Sequence, residues 1–192
     1  MQIQVQINEE GALRNQRYAF TDRFTLVSEL LQNARRAGAM RIEIHYDATA
    51  QVLRVEDDGR GLDDFQKLLS FHESGWDAAT SAEERPFGVG FSKCLYAATR
   101  CIVASNRQRV DIDTAAALAK ASIEVEPITE AVAGTRIELH GVDLPDLGNR
   151  IESLCLGFPV EVLFNGKPLL RRFAAAHLAT MDERLTSAKA AG

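Results

Sequence analysis

Apolar residues at Phe24, Val27, Leu30, Leu31 and Ala34 recur at nearly the helical interval, which predicts an amphipathic helix running into the stretch SELLQNARRAGA, residues 28–39. Thr21 or Asp22 is placed to cap its start and Gly38 to end it. After Gly38 the period changes to two. Ile42, Ile44 and Tyr46 alternate with Glu43 and His45, the residues ATAQ make a turn, and Val52, Leu53 and Val55 return, so a β-hairpin is predicted. Ile3, Val5 and Ile7 alternate in the same way and predict an opening strand, joined to the helix by a loop through Tyr18.

Further along, residues 63–71 predict a short helix, and residues 72–86 lose all periodicity around the single tryptophan, Trp76. An aperiodic stretch of this length inside a domain is either a functional lid or disordered. It ends in Phe87-Gly88-Val89-Gly90-Phe91-Ser92-Lys93, which runs into a helix bearing Leu95 and Ala98. Strands are predicted at 101–104, 110–112, 123–125 and 134–139, with an alanine-rich stretch between the second and third that reads as a loop or a helical turn. Beyond Pro145 come a helix, a hairpin closed on Asn165-Gly166 and an alanine-rich helical tail. This divides the chain into a domain over 1–144 and a C-terminal appendage over 145–192 with no assigned role.

Three places carry candidate chemistry. Glu29 and Asn33 stand four residues apart and project from one face of the predicted helix; the same pair also describes two solvated surface residues. At the hairpin's end lies Asp57-Asp58-Gly59-Arg60-Gly61-Leu62, a carboxylate followed by glycines that let the backbone turn tightly and a ligand approach closely. Taken alone, such a turn is as well described as a loop. Gly88 and Gly90, just ahead of a helix start, leave backbone N–H groups to face an anion, helped by the helix dipole. No Gly-Lys-Ser/Thr follows and no strand precedes, so this is neither a Walker loop nor a Rossmann turn.

Composition narrows the class without choosing a function. The 192 residues suffice for a full hydrophobic core, and 46% hydrophobic with 26% charged residues point away from disorder and from a membrane protein. A net charge of -5 argues against general nucleic-acid binding. The opening residues lack the pattern of a signal peptide, and no apolar run is long enough to cross a bilayer. Three cysteines without Cys-x-x-Cys spacing predict free thiols in a reducing cytoplasm, and four scattered histidines predict no metal centre held by protein alone.

In this order, the segments resemble the GHKL ATPases, the group named for gyrase, the large heat-shock chaperones, histidine kinases and mismatch-repair MutL. ELLQNARRAGA is similar to the N box in its MutL form, Asp57, Gly59 and Gly61 match the Asp-x-Gly-x-Gly box, FGVGF matches the chaperone form of the lid glycine box, and Gly134-Thr135 matches the last box. The resemblance spans about residues 21–139 and implies an α+β, Bergerat-type two-layer sandwich, with helices on one face of a mixed, mostly antiparallel sheet.

It also implies a ligand, ATP with Mg²⁺, and a role for each residue. Asp57 would accept from the adenine amino group, with Thr135 helping through water, beside the turn made by Gly59 and Gly61. Asn33 would hold Mg²⁺ through its amide oxygen, and Gly88 and Gly90 would meet the phosphates as the lid closes. Lys93 would either reach the terminal phosphate or be solvated. Glu29 would be the general base. Two departures stand out: Arg36 replaces an acidic residue of MutL-like N boxes, and Asp58 replaces a frequent Asn, adding negative charge close to the nucleotide. The function implied is slow ATP hydrolysis, with nucleotide-dependent lid closure controlling association with a second copy or a protein partner. Two alternatives stay open: a nucleotide-gated binding module without significant hydrolysis, and a protein kinase of the histidine-kinase or anti-sigma type, against which a Glu at position 29 argues.

Overall fold

The helical period over 24–34 folds as a helix whose buried side is Leu26, Val27, Leu30, Leu31 and Ala34. The computed structural model describes residues 4, 8–16, 18, 22–70 and 91–174. In order these form α1 (Glu9–Gln16), α2 (Thr25–Arg36), β1 (Arg41–Asp47), β2 (Val52–Asp57), a 3-10 turn (Phe65–Leu68), α3 (Ser92–Ala97), β3 (Arg100–Asp113), α4 (Thr114–Leu118), β4 (Val125–His140), α5 (Leu147–Cys155), β5 (Glu161–Phe164) and β6 (Lys167–Pro168). Asp22 Oδ1 accepts from the Phe24 N–H at 2.9 Å where the chain enters α2; Thr21 lies outside the described residues. Gly38 ends the helix at φ +78°. Its N–H bonds the Arg35 carbonyl at 2.9 Å and the Ala39 N–H bonds the Ala34 carbonyl at 3.1 Å, the paired closure that a left-handed residue after a helix permits.

The strands form one six-stranded sheet in the order β3-β4-β2-β1-β5-β6, in which β1 and β5 are parallel and the other neighbours antiparallel. Alternation explains its two faces. Ile42, Ile44, Leu53, Val55, Cys101, Val103 and Leu139 are buried with the α2 residues in a single core. The other face carries charge: Arg136 meets Glu56 at 3.0 Å, Arg54 meets the same carboxylate at 3.2 Å, and His140 meets Glu138 at 2.7 Å. The fold is thus α+β, with helices on one face of a mixed, mostly antiparallel sheet. The described residues beyond 144 belong to it: Ile42 stands opposite Val162, and Leu147, Ile151, Cys155, Phe158 and Val162 enter the same core. Asn165 and Gly166, both at positive φ, close the last hairpin.

Several elements differ from expectation. The four strands predicted between 101 and 139 are two long ones, β3 and β4, and polar residues hide the continuity. Around Asn106, at φ 55°, the register shifts, and from Arg107 to Arg109 and over most of 125–133 the ribbon is exposed enough to lose alternation. α1 replaces part of the predicted loop through Tyr18; its sequence has no apolar stripe, and its anchor is the Tyr96 hydroxyl donating to the Leu13 carbonyl at 2.7 Å. The helix predicted at 63–71 is one 3-10 turn capped by Asp64. Ala98 lies just past α3 in extended backbone. The alanine-rich stretch is the short α4, capped by Asp113. The opening strand (Gln4 apart), the lid sequence 72–86 and the helical tail from 175 lie outside the described residues.

Candidate nucleotide-binding site

α2 acts as a rail. Its apolar stripe fixes it to the sheet, leaving Glu29, Asn33 and Arg36 on a shared side at one-turn spacings. At the C-terminal end the Arg60 N–H bonds the Ala37 carbonyl at 2.9 Å, and a Cβ at Gly59 would stand 2.9 Å from both the Ala37 Cβ and that carbonyl. The glycine turn after β2 is thereby stitched to α2. At the other end Lys93, in the first turn of α3, meets Glu29 with Nζ to Oε1 at 2.7 Å. Glu29 and Ala37 are separated by about 12 Å of helix rise.

Register sets the end near the glycine turn. Ile42, Asp57, Thr135 and Ser105 lie in one row across β1, β2, β4 and β3. Asp57 shares that row with the fully buried Ile42 and Ser105, and burial pushes its carboxyl up to about 6. The Gly59 N–H opposes the rise, the Asp58 charge adds to it, and the Thr135 backbone N–H opposes it. Gly59 donates to Asp57 Oδ1 at 2.9 Å. Gly61 (φ +75°) and Gly134 (φ +65°) close the cradle: a Cβ on Gly61 would sit 2.6 Å from Ser105 Oγ, and one on Gly134 would fall on the Asp57 carbonyl.

Ser105 was not singled out from the sequence. It is fully buried; its Oγ donates to the Gly134 carbonyl at 2.6 Å and accepts from the Leu62 N–H at 2.8 Å, tying the two glycine segments together. Its signal was parity: it follows Cys101 and Val103 on the inward side of β3, where a polar residue needs a reason. The cradle makes a prediction. Gly134→Ala is expected to destabilise the chain by more than about 3 kcal/mol, because a strained φ is joined by collision with backbone. Gly38→Ala, with an equally positive φ and nothing within 4 Å, is expected to lose only about 1 kcal/mol. Urea denaturation of both variants checks this, and equal losses would contradict it.

Two residues have partners that the sequence did not reveal. The Asp58 Oδ1 accepts from the Met40 and Arg41 N–H groups at 2.8 and 2.9 Å, holding the start of β1. Its charge reaches Asp57 all the same. Lys93 is not a solvated residue but a partner of Glu29, with its side chain 16% exposed. Asp57, Gly59, Gly61 and Thr135 are brought together, as are Glu29 and Lys93, with Asn33 between the two groups along α2. Gly88 and Gly90 lie outside the described residues. For Mg²⁺ the available donor is Asn33 Oδ1, a neutral hard oxygen of the kind the ion takes when phosphates and water complete its shell. That oxygen accepts from Arg36 Nη1 at 3.3 Å, so the ion would share it with a cation. Among the described residues no three His, Cys, Asp or Glu side chains group as a metal site.

No helix among the described residues is long and apolar enough to cross a membrane. The three cysteines are free and buried, and burial pushes the thiols of Cys101 and Cys155 up to about 12 and 11. No curated protein matches the chain at a significant level. A family model described as "Histidine kinase-, DNA gyrase B-, and HSP90-like ATPase" matches residues 21–142, from the entry to α2 through the end of β4. Because that match takes in α2, the glycine turn and the Gly134-Thr135 step together, the chain belongs to the histidine kinase-, DNA gyrase B- and HSP90-like ATPase family.

Proposed function

We propose that the ATP bound by a domain of this family lies along α2, with adenine on Asp57 and the terminal phosphate near Glu29 and Lys93, and that the chain hydrolyses it slowly while using it to control association. The observation that carries this is the half-buried Asp57 carboxylate in a cradle that admits no side chain at Gly59, Gly61 or Gly134. A carboxylate only accepts, so it suits the amino group of adenine and rejects the carbonyl of guanine. Thr135, opposite Asp57, is in register to assist. Asn33 would hold Mg²⁺, which when bound supplies positive charge to the phosphates.

Glu29 then takes a proton from the water that attacks the terminal phosphorus as the bond to the departing ADP breaks. Its contact with Lys93 supports slow turnover, since a base held by an ammonium must exchange that partner before it can serve water. An incoming phosphate is the natural competitor for Lys93. The same ion pair also favours a second reading, a nucleotide-gated module that binds without significant turnover. The segment 72–86, with Gly88 and Gly90, is assigned by its sequence to closing over the phosphates. Closure in the loaded state would create the surface for a second copy or a protein partner, in the reducing cytoplasmic setting that the free thiols suit.

With a non-hydrolysable ATP analogue, sedimentation is expected to shift from monomer to dimer, and phosphate release is expected to slow on dilution. A monomer in every nucleotide state, together with brisk hydrolysis at high dilution, would overturn control by association.

A further inference from the structure

The oxygen proposed for Mg²⁺ already faces a positive charge. Arg36 Nη1 donates to Asn33 Oδ1 at 3.3 Å, one helical turn away on the side of α2 that also carries Glu29. The backbone beneath it is fixed, because the paired closure at Gly38 and the Arg60 N–H on the Ala37 carbonyl lock the last turn of the helix. A guanidinium keeps its proton at any physiological pH and presents a planar fork of N–H donors that matches two phosphate oxygens. A Mg²⁺ ion held by the same amide oxygen would share it with that guanidinium, and two cations on one oxygen repel.

We infer that Arg36 is a phosphate-binding residue that takes over part of the metal's task, so that the affinity of this chain for a nucleoside triphosphate depends little on the Mg²⁺ that Asn33 would hold. Asn33 orients the guanidinium, and Arg36 and Mg²⁺ compete for its oxygen. The inference rests on the proposed placement of ATP along α2 and adds a cation to it. It also gives the Arg at this position a chemical consequence, since an acidic side chain there would attract the metal with which Arg36 competes.

The test titrates a non-hydrolysable ATP analogue calorimetrically into the full chain, once with Mg²⁺ and once with EDTA, and reads the ratio of the two dissociation constants. For the parent the ratio is expected to stay below about 3, and for Arg36→Ala to exceed about 10, the worth of one charge-assisted contact. Arg36→Lys keeps the charge without the fork and is expected to fall between; it also guards against an alanine variant that fails to fold. A parent ratio above about 10, or equal ratios in parent and Arg36→Ala, overturns the inference while leaving ATP binding intact. Absence of binding by the parent under both conditions discards the nucleotide placement and the inference together.

Discussion

Glu29→Gln is expected to release phosphate from ATP about 10²–10⁴-fold more slowly than the parent chain, while its ATP affinity stays within a few-fold. The exchange is chosen for what it keeps. A Gln carbonyl still accepts from Lys93 Nζ, so the 2.7 Å bridge between α2 and α3 retains a hydrogen bond, and the only group removed is the carboxylate that receives the proton. Binding and turnover therefore separate in one variant. Single-turnover phosphate release measured beside a nucleotide titration checks both halves. Equal release by the two proteins would remove Glu29 from the chemistry and leave the gated binding module. A large loss of affinity instead would place Glu29 on the nucleotide rather than on the water.

What the sequence made legible is what local period encodes. α2 is visible from its apolar stripe, the β1–β2 hairpin from its alternation, and the last turn from Asn165-Gly166, because in each case the residues that decide the conformation are neighbours in the chain. The glycines at 59, 61 and 134 were legible as a motif, yet the reason for them was not: a Cβ at Gly61 meets Ser105, and one at Gly134 meets Asp57, partners separated by long stretches of chain. The pairing of Lys93 with Glu29 spans 64 residues and has no local signature. β3 and β4 were undercounted in length because the middle of β3 and the first half of β4 leave the core, and alternation disappears where neither face is buried. α1 escaped because a helix without an apolar stripe leaves no periodic trace. The partners of Asp58 were hidden for a related reason, since which way a side chain points from a turn is set by the N–H groups waiting there, here those of Met40 and Arg41.

Asp57→Asn is expected to weaken ATP binding by about 100-fold or more, the scale of a buried polar contact turned from attraction to conflict. One carboxylate oxygen is engaged by the Gly59 N–H at 2.9 Å. An amide that keeps its oxygen there turns its NH₂ toward the adenine amino group, donor against donor. Without nucleotide the same exchange is expected to stabilise the chain. Burial raises the Asp57 carboxyl from 3.8 to about 6, so the folded chain holds this proton to higher pH than the unfolded one. The contribution is favourable below about pH 4 and is lost as pH rises through about 6, leaving at pH 8 a penalty on the order of 1–3 kcal/mol that Asn does not carry. The variant should melt above the parent at pH 8, with the gap closing toward pH 4, so weakened binding cannot be ascribed to unfolding. The most direct measurement is calorimetric titration of ATP into parent and Asp57→Asn at pH 8, after melts show both folded. One-site binding by the parent and at least about a 100-fold weaker constant for the variant are expected; equal affinities would contradict the placement of adenine on Asp57.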